Sequence, residues 1–193
     1  MILCIERRMR QRGSQVMRVL TLSVWLALGA LPAGGRADAL RAGATFVRLS
    51  SLVGTWKGVG VAGRELTVNY RLSAADTVLV ETWSLGPERE SLTLYHLDGA
   101  DLVATHYCPL GNQPTLRLVA SDDSHLVFEF RSATGLAPGE NHQVRFEIRL
   151  DGRDTFWRSE TYHGGDGDST EAVTFRRAGQ VSREPAVSSL RGR

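Results

Sequence analysis

Gln143-Val144-Arg145-Phe146-Glu147-Ile148-Arg149-Leu150 alternates polar and apolar side chains without a break. In an extended chain successive side chains point to opposite faces, so Val144, Phe146, Ile148 and Leu150 share one face and the charged residues the other. That is a β-strand with one face buried and one in water, the signature of an antiparallel sheet. Asp151-Gly152 follows at once, and Asp98-Gly99 stands between two other apolar runs. Both read as tight hairpin turns, because glycine accepts the positive φ such turns require. Outward from this segment, strand-like runs recur at about ten-residue intervals, separated by Gly, Asp and Pro. Strands are expected near 55–62, 65–73, 77–85, 90–97, 101–108, 114–120, 125–132, 142–150, 154–163 and 170–177. Ten hairpin-linked strands in an open sheet would leave two unpaired edges, whereas closure removes them. The expected fold is therefore all-β, an up-and-down antiparallel barrel of about ten strands. Phe46, Leu49, Leu52 and Val53 precede the first strand with spacing suited to a short helix or 3₁₀ turn, which would plug one barrel end.

The N-terminal stretch has a different character. Arginines at 7, 8, 10, 12 and 18 precede the apolar run Val19 to Leu31, and Ala37-Asp38-Ala39 follows. This order of basic, apolar and small residues is that of a signal peptide, and the apolar run is short for a membrane span. Residues 1–39 are thus expected to be an export signal, with Met17 an alternative translation start, residues 40–178 the barrel, and residues 179–193 a disordered tail. Cleavage after Ala39 would leave 17 basic and 19 acidic residues, turning the formal charge of +2 into −2. The basic balance of the whole chain then belongs to the signal, and nucleic acid is not an expected partner. Cys4 would leave with the signal and Cys108 remain alone, so no intrachain disulfide is expected in the periplasmic or secreted form. The Gly164 to Ser169 loop, Gly-Gly-Asp-Gly-Asp-Ser, lacks the ligand count and closing Glu of an EF-hand calcium loop.

Gly54-Thr55-Trp56 opens the first strand, and Arg176 or Arg177 ends the last. This resembles the lipocalin and wider calycin pattern, in which a G-x-W tryptophan closes one barrel end and a late arginine packs across its ring; the resemblance implies that role for Arg176 beside Trp56. An indole is a large apolar stopper and a guanidinium can stack on it. The longer string Gly54-Thr55-Trp56-Lys57-Gly58-Val59-Gly60 is also similar to the opening of nitrobindin-like barrels, a resemblance that implies haem. Val61-Ala62-Gly63-Arg64 stands where that family carries Tyr-Pro-Thr-Ile, and no haem ligand is carried over. No cofactor is expected, and haem is the alternative.

Polar residues on otherwise apolar strands are the candidate ligand contacts: Tyr70, Glu81, His96, His106, Asn112 and Gln113. Alternation puts Leu102, Ala104, His106 and Cys108 on one face. Imidazole and thiolate suit Zn or Cu, but a hydrogen-bonded histidine is the simpler reading, and no metal site is assigned. Glu81 lies among Val78, Leu79, Val80 and Trp83, where enclosure makes it either an acid or base with a raised pKa or half of an ion pair with an arginine from a neighbouring strand. Asn112 and Gln113, between Pro109 and Pro114, would either meet a neutral polar ligand or cap their own loop. Phe128 and Trp157 read as interior aromatics. No nucleophile elbow, phosphate loop, H-E-x-x-H or paired-carboxylate signature is present. The expected function is an exported barrel that binds a small, partly apolar molecule. The alternatives are an enzyme moving a proton through a cavity Glu or His, and a filled, purely structural barrel.

Overall fold

The computed structural model describes residues 33–86 and 89–179. The apolar run of the expected signal and the alternative start at Met17 lie outside the described residues, as do residues 180–193 of the expected tail. Helix α1 (Ala33–Leu49) and a 3₁₀ turn (Ser50–Leu52) lead into ten strands: β1 (Gly54–Val59), β2 (Glu65–Ser73), β3 (Val78–Ser84), β4 (Glu90–Asp98), β5 (Asp101–Tyr107), β6 (Gln113–Ser121), β7 (His125–Thr134), β8 (His142–Leu150), β9 (Thr155–Gly164) and β10 (Gly167–Arg177). Each strand pairs antiparallel with the next, and β10 returns to β1, so the sheet is a closed ten-stranded barrel. The hairpins at Gly99 and Gly152 have φ of +63° and +87°, as their Asp-Gly turns require. β1 ends at Val59, earlier than expected, because Val61–Gly63 forms a 3₁₀ turn. The Gly-Gly-Asp-Gly segment is a two-residue hairpin between β9 and β10, and no group of three metal-ligating side chains occurs among the described residues. No helix among them is long and apolar enough to cross a membrane.

The 143–150 strand departs from strict alternation at its start. The pairing of β8 with β9 slips between Gln143 and Arg145, so Gln143 is fully buried and Val144 only half-buried. A bulge inserts one residue and flips the faces beyond it. From Phe146 onward the alternation holds, with Phe146 and Ile148 buried and Arg149 exposed. Trp157, in contrast to its expected interior position, lies half-buried on the outer face, where the Arg149 guanidinium sits 5.1 Å from its ring centre. Its neighbours Phe156 and Arg158 are the residues that point inward, both fully buried.

One end of the barrel is sealed by aromatic packing. Trp56 meets Phe156 edge-on at 4.9 Å, Phe156 stacks on Phe175 at 4.9 Å, and Phe128 stacks on Phe146 at 4.5 Å. The Trp56 indole donates to the Leu52 carbonyl at 2.7 Å, which ties the 3₁₀ turn to β1, while Leu49 and Leu52 are buried beside it. Among the described side chains of α1, the buried ones (Ala42, Thr45 and Leu49) lie beyond Ala39.

The cation across Trp56 is Arg177, not Arg176. The Arg177 guanidinium carbon stands 4.1 Å from the indole centre, whereas Arg176, one residue out of phase, is exposed on the outer face. Arg177 also donates to the carbonyls of Val53 (2.8 Å), Ser51 (3.1 Å) and Arg153 (3.2 Å), so one side chain joins the plug, β1 and the β8–β9 turn. Gly54 leaves room for this crossing: its φ is +130°, and a Cβ there would lie 2.8 Å from Arg177 Nη1. The glycine and tryptophan of the motif thus serve the same arginine. Arg177→Ala is expected to destabilise the barrel by about 1–3 kcal/mol, from stacking and carbonyl bonds lost together. Arg176→Ala should stay within about 0.5 kcal/mol of wild type; urea unfolding of the two variants checks the assignment.

Candidate functional site

Halfway along the barrel the interior becomes polar. Glu81 on β3 and Arg158 on β9 meet across the lumen, from strands that are not neighbours in the sheet. Arg158 Nη1 donates to Glu81 Oε2 at 2.7 Å and to the Tyr95 hydroxyl at 2.9 Å, and Tyr95 in turn donates to Glu81 Oε2 at 2.5 Å. The Trp83 indole N–H donates to Glu81 Oε1. Arg158 Nε donates to Glu160 Oε1 at 2.7 Å, and the guanidinium lies 4.5 Å from the Phe146 ring centre. Burial opposes the charge on Arg158, but Glu81, Tyr95 and Glu160 outweigh it and hold its pKa above the ordinary value. Burial, reinforced by Glu81, raises the pKa of Tyr70, and burial likewise raises that of Tyr95, so both hydroxyls stay protonated.

Above this layer, toward the end opposite Trp56, the barrel holds a cavity of about 190 Å³. Its floor and walls are Trp83, Arg158, Glu160, Tyr162, His106, Ser91, Leu66 and Val173, and its mouth is edged by Arg64, Leu85, Cys108, Pro109 and Glu171. The inward residues of β9 therefore run from apolar to polar along the strand: Phe156 in the sealed end, Arg158 in the floor, then Glu160 and Tyr162 in the walls. His106 Nδ1 is bonded to Thr93 Oγ1 at 3.1 Å, and burial lowers its pKa, so the imidazole is neutral near pH 7. Burial, then Glu160, raises the pKa of Tyr162, whose hydroxyl lies 3.4 Å from Glu160 Oε2.

Of the six residues singled out as ligand contacts, His106 alone lines this cavity. Glu81 is interior but sealed beneath the floor, paired with an arginine from across the barrel rather than from an adjacent strand. Tyr70 is also fully buried, edge-on to Phe156 at 5.9 Å and opposite Glu81 in the β2–β3 register. His96 is half-buried on the outer face, because Thr93 and Tyr95 are the inward residues of β4. Asn112 and Gln113 hold loops: Asn112 donates to the Asn141 carbonyl at 3.0 Å, and Gln113 donates to the Gly111 carbonyl at 2.6 Å and accepts from Thr134 at 2.9 Å. Arg158, Glu160 and Tyr162, absent from the sequence-based set, are the polar core of the site. Their shared parity on β9 was the available signal, hidden because Trp157 drew the inward assignment to the opposite face.

No family model matches the sequence, and none of the curated proteins matches it. Among solved structures the chain is similar to a protein of unknown function from the DUF3598 family of Nostoc punctiforme, at 18% identity over 67% of this chain, with a TM-score of 0.46. The alignment spans 48% of that protein, so this chain corresponds to about half its length.

The central pair makes a specific energetic demand. Removing one member of a buried ion pair leaves the other charge uncompensated, at a cost of about 3–5 kcal/mol, whereas replacing both by apolar groups can be near neutral. Arg158→Met is accordingly expected to destabilise the protein by about 3–5 kcal/mol. The Glu81→Leu/Arg158→Met double variant should recover a large part of that loss, and a denaturant-based double-mutant cycle measures the coupling.

Proposed function

We propose that this protein is an exported carrier of lipocalin-like build that holds one small, partly apolar molecule in the cavity at its open end. The observation that carries the reading is the cavity itself, whose lining combines apolar side chains (Leu66, Leu85, Pro109 and Val173) with polar ones that the fold has already positioned. Ligand pockets combine those two features, with a few polar groups fixing orientation within an apolar enclosure. Size narrows the occupant. An apolar protein cavity of about 150 Å³ accepts benzene, so about 190 Å³ suits a single ring with a short substituent. The Trp56–Arg177 closure at the opposite end supports the calycin resemblance, since it leaves one end sealed and one available.

Export rests on the basic and apolar order of residues 1–39. Cleavage after Ala39 would spare Ala42, Thr45 and Leu49, the helical residues that pack on the barrel. N-terminal sequencing of the mature protein from the exported fraction is expected to begin at Leu40; an uncleaved chain would overturn that assignment.

Native mass spectrometry of the exported protein should show one small-molecule adduct. Toluene, as a ring-sized probe, should shift the Trp83 indole N–H resonance saturably. Val173→Trp fills the cavity from β10 and is expected to abolish both signals while the far-UV spectrum is retained. If the wild-type protein carries no adduct and admits no toluene, the barrel is filled by its own side chains and the carrier reading fails.

A further inference from the structure

We infer that the cavity selects a small organic monocation, an ammonium group borne on a single ring, over neutral and anionic molecules of the same shape. This deepens the carrier reading and rests on it. Arg158 is one cation facing two carboxylates, Glu81 and Glu160, so the polar layer holds an unbalanced negative charge. The other wall residues do not offset it: Ser91 and Tyr162 are neutral, and His106 is held uncharged by burial. At the mouth, Arg64 and Glu171 oppose each other in sign. A surplus charge away from bulk water is costly unless paired, and the low local dielectric strengthens its attraction for a counter-charge.

Accessibility decides which group a ligand meets. The Arg158 side chain is 1% exposed and Glu81 0%, whereas the Glu160 side chain is 20% exposed. Among the described residues Arg158 Nη2 has no partner, yet it is fully enclosed, so an anion entering from the mouth would find the carboxylate before the guanidinium. Glu160 Oε1 is committed to Arg158, while among the described residues Oε2 has only the long 3.4 Å approach of the Tyr162 hydroxyl. Oε2 is therefore the under-used acceptor of the site, and an ammonium N–H is the donor that both satisfies it and cancels the surplus. The remaining space, between Trp83, Leu66 and Val173, suits the apolar ring. An ammonium near the Trp83 or Tyr162 face gains further from the ring quadrupole.

The test compares benzylamine, benzyl alcohol and benzoate by calorimetry and by the Trp83 indole resonance at pH 7. Benzylamine is expected to bind about tenfold or more tighter than benzyl alcohol, the ratio separating a charge-assisted from a neutral hydrogen bond, with benzoate the weakest. Glu160→Gln keeps an oxygen for Arg158 Nε but removes the charge, and should bring the amine and the alcohol within about twofold of each other. Should that variant fail to fold, the wild-type ranking decides. Equal binding of amine and alcohol, or tightest binding of benzoate, overturns the charge selection and leaves the carrier reading standing. Retention of the amine preference in Glu160→Gln overturns the role of Glu160. Binding of none of the three, nor of toluene, overturns the carrier reading and this inference together.

Discussion

The ion pair between Glu81 and Arg158 spans the lumen and sets the layout of everything around it. Two full charges placed inside a barrel cost several kcal/mol each in lost hydration, and their attraction offsets this only when the remaining donors and acceptors are also met. Tyr95 and Trp83 supply those partners on the Glu81 side and Glu160 meets Nε on the Arg158 side, where Nη2 has no hydrogen-bond partner among the described residues. The barrel must therefore bring β3, β4 and β9 to one level with side chains in fixed positions. A shift of one residue in β3 or β9 would turn one charge outward and leave its partner an uncompensated ion, and one in β4 would take the Tyr95 hydroxyl away from Glu81.

This polar layer separates two interiors of different kind. Toward Trp56 the space is filled by stacked and edge-on aromatic rings, with α1 and its 3₁₀ turn packed as a lid. Toward the mouth the inward residues become smaller or polar, and the filling stops. Arg177 holds the sealed end by reaching three backbone carbonyls while lying on the Trp56 ring. The two arginines do different work: Arg177 fastens elements at a rim where water screens its charge, whereas Arg158 is wholly enclosed and depends on carboxylates.

Most of the strand pattern was legible because it follows from short-range regularities. The 142–150, 65–73 and 90–98 strands show apolar alternation between turn residues, and the G-x-W motif marked the sealed end before any packing was visible. The site was much less legible. On β9 the inward face reads Phe156, Arg158, Glu160, Tyr162 and the outward face contains Trp157, so hydrophobicity points to the wrong side. A rule that places apolar residues inside fails where the interior is built to be polar. His96 was misplaced by the same kind of ambiguity, since β4 carries leucines on its outer face and Ser91, Thr93 and Tyr95 on its inner one. The choice of Arg176 over Arg177 was a one-residue question of phase, decided only where β10 pairs with β1.

By itself the sequence determined the class of fold, the approximate strand boundaries and the tryptophan that closes the barrel, because periodicity, turn chemistry and a local motif are properties of neighbouring residues. It also singled out Glu81 as an enclosed carboxylate. Only the tertiary structure decided what Glu81 meets, that Glu160 rather than Glu81 faces the cavity, and that Asn112 and Gln113 tie the β5–β6 loop to itself and to the β7–β8 region. Those outcomes depend on closure, which places β3 opposite β9, residues 77 positions apart in the chain. No local pattern encodes that distance, since it is set by the number of strands and their register around the barrel.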